Sequence, residues 1–87
     1  MRELTRLEKE VLLHIFDEGY LYVCFNGNHA RALNTKKKPI LAGGMYRTYV
    51  DNGRTYLGQT IWIPGLFEDV GYGILERKDV EIQETLL

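Results

Sequence analysis

Several groups of side chains in this chain are of types that could do chemistry. Asp69 followed by Glu76-Arg77-Lys78 echoes the acidic, acidic-x-lysine order of metal-dependent nucleases, where carboxylates hold magnesium and a lysine supports the attacking water. The separation is short, and a charge-rich solvated turn is the commoner origin of such a run. Cys24 and His29 flank an Asn26-Gly27-Asn28 segment, and His14 is the other histidine. A structural zinc needs four ligands at a recognisable spacing, and this set falls short. The chain contains no serine, which excludes a Ser/His/Asp triad, and its single cysteine sits in an apolar run where a small buried thiol is the usual outcome. Gly43-Gly44 is an isolated pair, not a phosphate cradle. No catalytic residue, metal ligand or cofactor site emerges, and the expectation is a protein that is not an enzyme.

The basic and aromatic residues carry more. Residues 1–28 hold three basic and five acidic side chains, residues 29–54 six basic and one acidic, and residues 55–87 two basic and six acidic. A net charge of −1 therefore conceals a basic middle third between acidic ends. Within that third Lys36, Lys37 and Lys38 join Arg31, Arg47 and Arg54, and Tyr46, Tyr49, Tyr56 and Trp62 lie nearby. Phosphates could meet the cations and unpaired bases could stack on the rings. A solvated loop, an acidic protein or a ribonucleoprotein complex are the competing readings.

These residues must be positioned by the stretch from Met45 to Pro64. Two runs rich in tyrosine, threonine, valine and isoleucine flank Asn52-Gly53, the pair that accepts the positive φ of a tight hairpin. With Asn52 and Gly53 as the turn, Val50 pairs with Thr55, Tyr49 with Tyr56 and Thr48 with Leu57. One face then carries Tyr46, Thr48, Val50, Thr55, Leu57, Ile61 and Ile63 toward a core. The other carries Met45, Arg47, Tyr49, Asp51, Arg54, Tyr56 and Trp62, a mixture of arginine and large rings typical of binding hot spots. A bulge near Gly58 would swap the faces beyond it.

Elsewhere, Thr5 and Glu8 have capping-box spacing, and Leu4, Leu7, Val11 and Ile15 recur at helical period. A helix is expected from about residue 5 to Phe16, closed by Gly19. Leu12, Leu13 and Phe16 widen its apolar surface, so its second side meets either more sheet or another copy of the chain, as a homodimer. Tyr20 to Phe25 reads as a strand, Asn26-Gly27-Asn28 as a turn, His29 to Leu33 as the return, and 34–39 as a loop. Ile40 to Ala42 adds a brief strand, Leu66-Phe67 an apolar plug, and Tyr72 to Leu75 and Val80 to Ile82 two last strands. The expected fold is α+β: one domain over 1–87, with the N-terminal helix followed by a small, strongly bent antiparallel sheet or SH3-like barrel over about 20–82. No apolar run approaches the roughly 20 residues of a membrane span, and the opening Met-Arg-Glu-Leu-Thr-Arg is without the apolar stretch expected of a signal peptide. A soluble protein of the host cytoplasm, without membrane contact, is expected.

The segments Tyr20-Leu21-Tyr22-Val23, Arg31-Ala32-Leu33, Lys38-Pro39-Ile40, Gly65 to Val70 and Val80-Glu81-Ile82 together resemble small β-rich accessory proteins encoded by phages and prophages of Gram-positive bacteria. The likeness covers about residues 20–82, and its elements are short. It carries over no functional residue. It implies a context in which such proteins bind a host macromolecule, including components of anti-phage defence. On that reading Arg31, Lys36, Lys37, Lys38, Arg47, Tyr49, Arg54, Tyr56 and Trp62 form the partner-binding set, with a nucleic-acid-binding β-barrel as the alternative.

Overall fold

The computed structural model describes residues 1–27, 31–50, 54–56 and 59–80, with backbone alone at 48–50 and 54–56. Helix α1 spans Arg6–Asp17. It starts where the capping box predicts: the Thr5 hydroxyl accepts from the Glu8 amide at 3.2 Å, and the Glu8 carboxylate accepts from the Thr5 amide at 2.9 Å. It ends at Glu18, and Gly19 follows with φ of 103°, a conformation that favours a residue without a Cβ.

The buried stripe differs from the one periodicity suggested. Glu8, Leu12, Ile15 and Phe16 face inward, while Leu7 is 56% exposed. Leu4, Val11 and Leu13 flank the core partly buried. The stripe has turned by about one residue because the carboxylate of Glu8, not the side chain of Leu7, is drawn inside.

The strands form two antiparallel sheets. Strands β1 (Tyr22–Gly27), β2 (Ala32–Thr35), β6 (Gln59–Ile61) and β7 (Gly71–Leu75) make the first, in the order β6-β2-β1-β7. Strands β3 (Pro39–Ala42), β4 (Met45–Val50) and β5 (Arg54–Tyr56) make the second, in the order β3-β4-β5. The α+β expectation holds, with the sheet not closed into a barrel. The chain leaves the second sheet after Tyr56 and rejoins the first at Gln59, so the long strand expected beyond Tyr56 is divided between two sheets. The segment around Gly58, where a bulge was expected, lies outside the described residues.

Three other boundaries move. Asn26 and Gly27 belong to β1 instead of a turn, and Asn34 and Thr35 belong to β2 instead of a loop. A short helix α2, Arg77–Val80, replaces the start of the last expected strand, and residues 81 and 82 lie outside the described residues. Strand β7 thus ends at Leu75 and the chain turns through Glu76 into α2, where the Asp79 carboxylate accepts from the Glu76 amide at 2.8 Å.

The core lies between α1 and the first sheet. Leu12, Ile15 and Phe16 of the helix meet Val23 and Phe25 of β1, Ala32 of β2, Leu75 of β7, Val80 of α2, and Phe67 and Val70 of the connecting loop. The Phe25 and Phe67 rings sit 5.5 Å apart at a tilt of 42°. Phe67 is fully buried, as an apolar plug should be. Cys24 is buried as well, and burial pushes its thiol up to about 12, which removes it as a nucleophile at neutral pH.

One polar assembly closes this core. The Glu8 carboxylate, 2% exposed, accepts two hydrogen bonds from Arg2 at 2.8 Å and one from the Phe67 amide at 2.5 Å. Arg2 also donates from Nε to the Glu68 carbonyl, and its own amide donates to the Val70 carbonyl, both at 2.8 Å. Phe67 and Asp69 have φ of 60° and 50°, a left-handed conformation that residues with side chains seldom adopt. The Glu8–Arg2 pair thus holds a strained loop in place, and the bonds from Arg2 lower the Glu8 carboxyl to about 2 despite the opposing cost of burial.

Candidate interaction surface

The second sheet is built on a two-residue turn. Ala42 pairs with Met45, and the intervening Gly43 and Gly44 have φ of 61° and 77°. Positive φ at both central positions is what a type I′ hairpin requires and what glycine allows. The tight hairpin therefore forms at Gly43-Gly44. At the Asn52-Gly53 segment the register pairs Val50 with Arg54, Tyr49 with Thr55 and Thr48 with Tyr56. Three residues, 51–53, separate these strands; they lie outside the described residues.

That register is one residue off the expected one. Tyr49 stands opposite Thr55, while Arg54 stands opposite Val50. The pairing of Tyr49 with Tyr56, on which the expected face rested, is not the one formed. A three-residue connection is the other common hairpin solution, with glycine in its last position. The Asn-Gly pair alone does not distinguish the two.

The remaining members of the expected set fall into two places. Lys36, Lys37 and Lys38 are exposed between β2 and β3. Arg31 is exposed at the other end of β2, and Trp62, 62% exposed, follows β6. Because Ala32 pairs with Ile61, Arg31 and Trp62 stand at neighbouring strand ends. About 16 Å of extended chain separates that end from Lys36. Arg47 is half-buried in β4, and its Nε is enclosed without a hydrogen-bond partner among the described residues, so it does not project freely as expected.

Sequence reasoning missed the residue that ties the second sheet to the first. Asn26, 8% exposed at the end of β1, accepts from the Tyr46 amide at 2.6 Å and donates to the Tyr46 carbonyl at 3.4 Å. Its amide completes the backbone ladder of β4 where no neighbouring strand does among the described residues. Asn-Gly reads as a turn from sequence, and only the tertiary contact reveals this role. Ile40 and Leu41 were also outside the expected set, yet they are 39% and 63% exposed on the edge strand β3.

The candidates for catalysis are placed apart or engaged in folding. Arg77 pairs with Asp17 at 2.7 Å, Lys78 with Glu76 at 3.4 Å, and Asp79 caps α2. Asp69 lies in the strained loop beside Arg2. Among the described residues no three of His, Cys, Asp and Glu gather as a metal site, and His29 lies outside them. An open cavity of about 140 Å³ is lined by Tyr22, Lys38, Ile74, Glu76 and Asp79. Its carboxylates already serve Lys78 and the Glu76 amide. No described helix is long and apolar enough to cross a membrane.

No family model matches the chain, and no match was found among curated proteins or solved structures. The case for function therefore rests on the surface itself.

Proposed function

We propose that this chain is a non-enzymatic accessory protein, of the phage or prophage kind its sequence resembles, that acts in the host cytoplasm by binding a host protein or ribonucleoprotein complex. Inhibition of a defence complex is the outcome such binding would serve. The observation that carries the reading is the exposed lysine loop running directly into an edge strand whose Ile40 and Leu41 are open to solvent. Positive charge speeds encounter with an acidic surface, and exposed apolar side chains supply the area that holds it.

The test is capture from host extract by immobilised protein, with proteins identified by mass spectrometry, repeated with Lys36→Glu/Lys38→Glu and with Leu41→Asp. A specific host protein retained by the wild type and lost with both variants supports the reading. Retention that ignores both variants removes this surface. The second reading, nucleic-acid binding, draws on exposed Arg31 and Trp62 at neighbouring strand ends. It predicts affinity for a single-stranded oligonucleotide that falls steeply with salt and weakens in Trp62→Ala. Homodimerisation through α1 draws on exposed Leu7, and sedimentation of Leu7→Lys beside the wild type tests it.

A further inference from the structure

The second sheet leaves one edge unpaired among the described residues, and its chemistry selects an occupant. In the order β3-β4-β5, β3 lies outermost. Its residues pair Ala42 with Met45, Leu41 with Tyr46 and Ile40 with Arg47 across the two-residue turn. In such a hairpin the pair flanking the turn exchanges both backbone hydrogen bonds, and the next pair exchanges none. Ile40 and Ala42 therefore direct their amides at β4, while the N–H and C=O of Leu41 point outward. Tyr46, opposite Leu41, gives independent support: its own N–H and C=O point away from β3 and are taken by Asn26.

Pro39, at the next outward position, is buried and lacks an N–H to leave unsatisfied. The edge thus offers Leu41 as donor and acceptor. Ile40 and Leu41, pointing to opposite faces, are both exposed, so an added strand finds apolar surface on either side. Lysines and a proline are also the devices by which edge strands avoid pairing with their own copies. That repulsion acts against basic partners, and an acidic one turns it into attraction. The contrast is sharp in this chain, where residues 31–50 contain five basic side chains and no acidic one.

We infer that β3 is a strand-addition site for an extended acidic segment of a partner protein, read through the outward backbone of Leu41 and the flanking Lys36 and Lys38. This rests on the proposed function and names the chemistry of its partner. The bound segment would extend the second sheet to four strands, with acidic side chains toward the lysine loop and apolar ones against Ile40 or Leu41.

The experiment uses the full chain and a capped peptide of about ten residues alternating glutamate and valine, with its lysine-valine counterpart as control. Binding is followed by fluorescence anisotropy and by hydrogen exchange of the Leu41 amide. The glutamate peptide should bind saturably and protect that amide, and the lysine peptide should not bind. Leu41→Pro removes an N–H that the β3–β4 ladder does not use, so it should weaken binding about tenfold or more while the melting temperature stays close to wild type. Lys36→Glu/Lys38→Glu should weaken it similarly and favour the lysine peptide.

Failure of the glutamate peptide to bind overturns the inference, as does equal affinity in Leu41→Pro. A single-stranded oligonucleotide that binds more tightly and displaces the peptide reassigns the surface to nucleic acid. A wild-type dimer that Leu41→Pro dissociates reassigns it to a second copy. Should the peptide fail while capture of a host protein still depends on Lys36 and Lys38, strand addition falls and the proposed function stands. Should peptide binding hold while capture fails, the reverse is true.

Discussion

The two sheets of this molecule solve the same problem in opposite ways. In the first, β1 and β2 are buried along nearly their whole length: Val23, Cys24, Phe25, Ala32 and Leu33 are all 3% exposed or less. In the second, β3 has Ile40 and Leu41 open, and β4 is half-buried from Met45 to Arg47. The first sheet is held by a helix, an apolar core and the Glu8 clamp; the second by its own ladder, a diglycine turn and the side-chain amide of Asn26. Strands packed on both faces, as β1 and β2 are, have no surface left for a partner. The difference teaches where to look for function: among the described residues β3 is an open edge beside the basic loop, and substitutions there should separate binding from folding.

The largest effect should come from breaking the clamp of the first region. Glu8→Ala removes the acceptor for Arg2, for the Thr5 amide and for the Phe67 amide together. It should cost about 3 kcal/mol in denaturant unfolding, the low end for a buried pair that loses one partner, because Arg2 is 33% exposed and stays solvated. The same group sets an acid limit. Its folded pKa of about 2 lies below the ordinary 4.5, so its contribution is complete above the ordinary value and lost as pH falls through about 2. The full contribution is about 3 kcal/mol, and an unfolding series from pH 7 to pH 2 in wild type and Glu8→Gln measures it as the difference between the two curves. Parallel curves would assign the acid sensitivity elsewhere.

A smaller effect should loosen the second sheet and spare the first. Asn26→Ala leaves the Tyr46 amide and carbonyl without their partner, at a cost of about 1–2 kcal/mol. Hydrogen exchange should then speed up in β3 and β4 while the amides of β1 and β7 keep their protection. Uniform acceleration would mean that the two sheets open as one unit. Asn34 offers the opposite sign inside the first sheet. It is 1% exposed, and neither polar atom of its side-chain amide has a hydrogen-bond partner among the described residues. Asn34→Leu, with the same number of heavy atoms and free of polar atoms, should stabilise the protein by about 1 kcal/mol where the site accommodates the bulkier methyl groups.

What could be read from the sequence follows the same division. The start and end of α1 were legible because Thr5, Glu8 and Gly19 act through local backbone geometry that needs no tertiary partner. Phe67 as a plug and Cys24 as a buried thiol were legible from composition alone. The inward turn of Glu8 was not, because it depends on Arg2 and on a loop 59 residues away meeting one carboxylate. In the second sheet, both Gly43-Gly44 and Asn52-Gly53 are hairpin signals, but a signal for a turn does not fix its length, and one residue of length moved every pairing of β5. The partner-binding set read from the sequence rested on Tyr49 standing opposite Tyr56, and the register pairs Tyr49 with Thr55 instead. Leu41 escaped notice because an exposed leucine is ordinary until the strand order shows it on an edge.

The smallest effect on stability is also the one that most sharpens the comparison. Lys36→Glu/Lys38→Glu changes two exposed side chains next to β3, with Lys36 lying 5.9 Å above the Tyr20 ring. That contact is worth about 0.5–1 kcal/mol at an exposed site, and losing it sets the upper bound on destabilisation. Like-charge relief within the lysine run offsets part of the loss, so the midpoint of unfolding should move by less than about 0.5 kcal/mol. Glu8→Ala should do the reverse, costing stability while leaving binding at β3 intact wherever the protein is still folded. A charge reversal that unfolds the chain would show that the basic loop is a structural element of the second sheet, and the separation of a packed region from a binding region would fail at its most exposed point.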